Sequence, residues 1–319
     1  MSMKTNRRAM RFALESEYND GTTTPESATD GILMREITVT PLSGGNIARN
    51  FVRPYYGNSP QAPGEKHVEA VFELEWNTSG KLGTPPPWGK LLRACGWSEV
   101  IEEGERVIYS PVSEDEDSGV FFCNVDGNLH KGRGARGTPA ITVNAENMPV
   151  IRFTYRALIS PVTQEELPNV VLSQWRAALA VNSLNTEPLE FMGATVPFDQ
   201  FSLDMSGQVV HNKIVGSNDI EITGRTPSGQ LRIEDPGVGT VNYFQMSQNA
   251  ATGALKLVHG KTPQERIELS MRKVGIESPT YSDQDGIQML SINYSPEPVD
   301  GNDEVLIVVG NPIPEEEAP

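Results

Sequence analysis

A mainly β fold with a short helix packed on it, its plan repeated in a second β domain, is what this 319-residue sequence predicts. Three observations point there. Turn formers are abundant, with Gly 29 and Pro 24, and they punctuate short β-branched runs in the manner of an antiparallel β protein. Helical periodicity is scarce. Residues 66–96, KHVEAVFELEWNTSGKLGTPPPWGKLLRACG, join an alternating strand to a proline-started helix, and a similar order of elements returns later. A chain of this length accommodates two domains, each with a core of its own.

In that strand Val68, Ala70, Phe72, Leu74 and Trp76 share one face, while Glu69, Val71, Glu73 and Glu75 share the other, because side chains alternate at period two. Glutamate is depleted in strands and like charges on one face repel, so the acidic face is either a solvated sheet surface or a functional acidic wall.

The remaining elements follow in order. Residues 1–31 are basic at Lys4, Arg7, Arg8 and Arg11, then rich in Thr, Ser and Gly, which predicts a flexible N-terminal arm. Residues 32–163 form the first β domain, opened by a strand over 32–40. Residues 50–63 read as a loop because of Pro54, Gly57, Pro60 and Pro63. Thr84 can cap a helix whose first turn holds Pro85, Pro86 and Pro87, whose buried stripe is Trp88, Leu91, Leu92 and Cys95, and which Gly96 stops. Asp126-Gly127 predicts a tight hairpin turn between strands over 120–125 and 128–130. The following KGRGARG, residues 131–137, resembles a Gly/Arg segment of RNA-binding proteins but reads here as a flexible loop. Strands over 140–145 and 150–158 close the first domain.

Residues 164–310 repeat the plan. Strands are expected at 198–204, 219–224, 230–234, 254–259, 266–271, 287–294 and 305–309, with a helical turn over 241–249 in place of the proline-started helix. Residues 311–319, NPIPEEEAP, are polar and Pro-rich and read as a flexible C-terminal tail.

Chemistry is sparse. A net charge of -16 argues against phosphate-tracking nucleic-acid binding. Cys95 and Cys123 lie in apolar runs and read as core residues, and the four histidines are dispersed without ligand spacing. No stretch has the apolar length of a signal peptide or membrane span. Glu73 and Glu75, about 7 Å apart along one strand face, have the separation of an inverting glycosidase pair, yet no aromatic cleft accompanies them. SEDEDSG and SDQDG are fragments of calcium loops without the closing glutamate. Neither an enzyme nor a cofactor is expected.

Residues 11–160 carry a resemblance, most specifically PPPWGKLLRACG followed by DGNLHKGRGARG, and the second half adds ITGRTPSGQLRIEDP, GKTPQERIELS and PTYSDQDGIQMLSINYSPEP. They resemble the major tail tube proteins of long-tailed, non-contractile bacteriophages. That resemblance implies a tail-tube β-sandwich assembled into homo-oligomeric rings, stacked around a channel that conducts DNA from capsid to host. It also implies other tail proteins at the tube ends and a tape measure protein in the lumen as partners. The implied location is the virion tail, after assembly in the host cytoplasm, with no membrane and no specific DNA binding. On this reading Glu69, Glu73 and Glu75 line the channel. Lys4, Arg7, Arg8, Arg11, Arg53, Tyr55 and Tyr56 would meet the next ring. Two tube domains per chain imply a pseudo-six-fold ring of three copies, favoured over a hexamer. A carbohydrate-binding or decoration module of the same β class is the alternative.

Overall fold

The computed structural model describes residue 4 and residues 6–314. The first half contains β1 (Arg8–Leu14), β2 (Glu36–Ser43), β3 (His67–Glu75), α1 (Gly89–Arg93) and β4 (Arg106–Tyr109). It continues with β5 (Gly119–Val125), β6 (Asn128–Asn144) and β7 (Val150–Ile159). Hydrogen bonding runs in the order β2–β3–β7–β6–β5–β1, all antiparallel. The alternation of β3 holds: Val68, Ala70, Phe72 and Leu74 are buried and the residues between them half-buried.

The second half contains β8 (Phe198–Asp204), β9 (Val209–Ile214), β10 (Ser217–Ile222), β11 (Ser228–Glu234) and α2 (Tyr243–Gln248). It ends with β12 (Thr252–His259), β13 (Ile267–Gln284), β14 (Ile287–Pro296) and β15 (Leu306–Gly310). Its pairing order is β8–β11–β14–β13–β12, again antiparallel. This matches β2–β3–β7–β6–β5 strand for strand, with α2 standing between β11 and β12 as α1 stands between β3 and β5. The side chains agree as well. Phe72 faces Ile37 on one side and Phe153 on the other, while Leu231 faces Phe201 and Ile292. Tyr155 lies opposite Ala70 and Tyr294 opposite Gly229, so the two tyrosines are counterparts.

The halves share one sheet. β6 is 17 residues long; its start pairs with β5, its end pairs with β8 through Ile141↔Leu203 and Val143↔Phe201, and its other edge follows β7. The run β2–β3–β7–β6–β8–β11–β14–β13 therefore sets two four-stranded sheets side by side. At the far end β15 returns to the first half and pairs with β4. One hydrophobic cluster reaches from Phe12 and Trp88 to Tyr243 and Ile307, beside a small one of Val120, Phe122 and Leu129, so in place of two separate cores the main core spans both halves.

Other boundaries differ from the sequence reading. Residues 8–14 are not an arm: β1 pairs with β5 along its whole length and buries Met10 and Phe12. KGRGARG is strand, not loop. Gly132 is needed there because a Cβ would sit 2.4 Å from the Phe121 ring, and Gly134 takes φ 57° at the bulge between Arg133 and Arg136. Residues 163–164 pair with β6 and Trp175 donates to the Gly31 carbonyl at 2.8 Å, so the start of the segment between the halves is packed on the first half, whereas Glu190 and Phe191 pair with β12. The prolines precede α1 rather than fill its first turn. Residues 1–3, 5 and 315–319, within the expected arm and tail, lie outside the described residues.

Candidate functional site: one sheet face and its two edges

The face of the eight-strand run that points away from the core carries Glu69, Glu73 and Glu75. It is not a bare acidic wall. Glu69 lies 3.1 Å from both the Arg156 guanidinium and His67 Nε2. Burial pushes its carboxyl up, but the His67 hydrogen bond and the Arg156 charge outweigh this and hold its pKa below the ordinary value. His67 itself is lowered, by burial first, against the opposing pull of Glu69. Glu73 lies 3.6 Å from Arg35 and opposite Arg152 in the strand register. Glu75 accepts a hydrogen bond from the Ala178 N–H at 3.2 Å. Glu73 and Glu75 thus each hold a structural partner. In the second half Ser228, Arg232 and Glu234 occupy the corresponding positions, and Arg232 Nε bonds both oxygens of Asp199 at 2.8 and 2.9 Å. The face is a polar surface of paired charges with an acidic surplus. Among the described residues no group of three or more His, Cys, Asp or Glu could hold a metal ion.

Behind this face, α1 is pinned to the sheet. Trp88, Leu91, Leu92 and Cys95 are buried as expected. Trp88 Nε1 donates to the Asn77 carbonyl at 2.7 Å, and the Tyr155 hydroxyl reaches down from β7 to the Leu91 carbonyl. Cys95 and Cys123 are both buried and unbonded to each other, and burial pushes each thiol up to about 12.

The expected inter-ring contacts separate into two groups. Arg11 is buried: it bonds Asn124 Oδ1 at 3.2 Å and Glu165 at 3.0 Å, and its guanidinium lies over the Phe122 ring. Arg8 donates to the Ile37 carbonyl. Arg7 pairs with Asp126 at 3.1 Å, and the Lys4 backbone N–H bonds the same carboxylate. Arg7, Arg8 and Arg11 thus serve the chain's own fold, while the Lys4 side chain is exposed. Arg53, Tyr55 and Tyr56 lie on an exposed insertion, residues 44–66, clamped at its base by a two-residue pairing, Ile47↔Ala62 and Ala48↔Gln61.

The two ends of the eight-strand run were not found from the sequence. At one end β2 pairs with β3 alone. At the other, residues 280–284 of β13 pair with β14 alone, although earlier residues of β13 pair with β12 and β15. Each end leaves one row of backbone groups without a strand neighbour among the described residues. The missing signal is one of register, which composition does not carry; the recurring element order was its only trace.

No model of a known protein family matches the chain, and no curated protein matches it.

Proposed function

We propose that this chain is a structural subunit that assembles side by side into a ring and, by stacking of rings, into a tube that conducts DNA: a phage tail tube protein. One observation carries the reading. Within the chain, the end of β6 pairs with β8, the first strand of the second unit. By the repeat, the end of β13 corresponds to the end of β6, and β2 corresponds to β8. The edge of β13 therefore fits the β2 of a second copy in the geometry already used between the halves. Transferring the internal register places Thr280 opposite Thr40, Tyr281 opposite Val39 and Ser282 opposite Thr38. Each such join satisfies two unpaired strand edges, which otherwise invite uncontrolled aggregation, and a head-to-tail contact repeated with rotation closes a ring.

With two units per chain, three copies make a six-unit wall whose polar face turns to the channel. Glu69, Glu73 and Glu75 then contribute lining, tempered by Arg152, Arg156 and Arg232, so passing DNA meets no continuous cationic track. Tail proteins at the ends, a tape measure in the lumen and a virion location belong to the same proposal. Negative-stain electron microscopy of the purified protein at high concentration tests it. Hollow rings or tubes of uniform width are expected; monomers that persist at every concentration, with or without tail-end proteins, sink it.

A further inference from the structure

The repeat extends to the insertions. β9 and β10 form a hairpin between β8 and β11, and residues 44–66 form a smaller one between β2 and β3. Counted from the aligned strands, Ile47 falls at the position of His211, and His67 falls at that of Thr226. The β9–β10 hairpin is seated on the first half. Its His211 ring lies 5.2 Å from the His67 ring, Arg156 donates to the Val209 carbonyl, and Arg136 bonds the Ile220 carbonyl at 3.1 Å and Glu221 at 2.7 Å.

Residues 44–66 touch their own chain near the base, where Lys213 donates to the Glu65 carbonyl at 3.3 Å, and their tip is open to solvent. Phe51 is 58% exposed, Val52 104%, Tyr55 66% and Tyr56 106%, an apolar cost that a monomer has no reason to carry. The matching seat on the second half stands open. Where β7 presents Arg156 opposite Arg136 of β6, β14 presents Ser295 opposite Gly275 of β13. Around these two residues lies a depression that Glu277, Ser278 and Glu297 also line. Charge is inverted between the seats. The filled one uses arginines to hold an acidic hairpin through Glu221; the open one offers Glu277, beside a Glu297 that pairs with Lys273 at 2.7 Å, to an insertion that carries Arg49 and Arg53.

We propose that residues 44–66 of one copy dock in this depression on the adjacent copy of the same ring, reproducing between chains the contact that β9–β10 makes within one. This rests on the side-by-side assembly proposed above, and it replaces the expectation that the insertion reaches the next ring. Binding would be driven by burial of Phe51, Tyr55 and Tyr56 at the centre, with the arginine–glutamate pairs setting orientation.

Thiol cross-linking of the assembled full-length protein tests it, since both native cysteines are buried. One double variant, Ile47→Cys with Thr226→Cys, reports on the insertion. A second, Thr38→Cys with Ser282→Cys, reports on the strand edges. All four positions are exposed or half-buried, so folding is retained. Each is treated with a short bismaleimide and run on a denaturing gel beside its single-cysteine parents, which should not form higher species. The expected result is that most chains link in both double variants and that the largest species has the same copy number in each, that of one closed ring. A ladder extending beyond that number with the insertion pair would place the contact between rings and overturn the proposal. Edge linking without insertion linking, or insertion variants linked only within a monomer, would overturn it and leave the ring intact. Failure of both pairs would overturn the ring reading together with the docking.

Discussion

His259 shows what burial does to single residues here. It is 2% exposed, with Nδ1 2.9 Å from the Thr186 hydroxyl. Burial lowers its pKa from 6.5, against a raising contribution from the Leu179 backbone. The unfolded chain thus binds the proton more readily than the folded one, so this contribution is complete above about pH 6.5 and lost as pH falls below it. His67 and His130 are lowered for the same first reason, and the depressed Glu69 and Asp303 carboxyls act in the same direction at lower pH. The urea midpoint should therefore drop between pH 7 and pH 5, and His259→Gln should make that drop smaller. An unchanged drop would mean that His259 titrates alike in both states. Trp88 is the second residue-scale case. It is fully buried, its ring tilted at 41° to that of Tyr109 with centroids 5.3 Å apart, and it is bonded to Asn77. Trp88→Ala should cost about 3–5 kcal/mol in a denaturant titration, as removal of a core aromatic does.

At the scale of elements, two strands make distinct predictions. β11 must lie close to β8 and β14 at Gly229, where a Cβ would stand 2.3 Å from the Tyr294 ring and 2.4 Å from the Ser202 carbonyl oxygen. Gly229→Ala should destabilise by about 1–3 kcal/mol, the usual cost of overpacking. Gly239→Ala, with nothing within 4 Å of its Cβ, should be nearly neutral. β1 supplies the other test. Removal of residues 1–11 takes Met10 and Arg11 out of a paired strand, so the melting temperature should fall; an unchanged melting temperature would restore the view of a free arm.

These elements also show what was legible. β3, α1's buried stripe, the Asp126-Gly127 turn and β8 could be read because period-two alternation, helical spacing and turn chemistry are local. β1 was hidden because Arg8 and Arg11 interrupt RAMRFAL, although Met10, Phe12 and Leu14 keep the strand period. KGRGARG looked like loop because glycine is a turn former, whereas Gly132 is there to clear Phe121. The paired state of the acidic face depended on which arginines β7 brings beside β3. Arg152 and Arg156 come into register with Glu73 and Glu69 through the β7–β3 pairing, and Arg35 and the Ala178 N–H arrive from parts of the chain whose position is set by tertiary packing.

At the scale of the molecule, the two halves match in strand order, share a main core, and leave a strand edge at each end of the eight-strand run. The internal β6–β8 join is a covalently tethered example of the contact that a second copy would make, and β9–β10 is the tethered example of the insertion's seat. In the proposed assembly, stacking would use the surfaces above and below the ring. A chain whose second half merely decorated the outside would have no use for matching strand orders or for an edge at residues 280–284. The most direct measurement is an end-on electron-microscopic average of the isolated ring combined with its mass by native mass spectrometry. Six wall segments around an open centre, in a particle weighing three chains, is the expected result. Six chains in the ring, with second halves outside the wall, would contradict the equivalence of the two units.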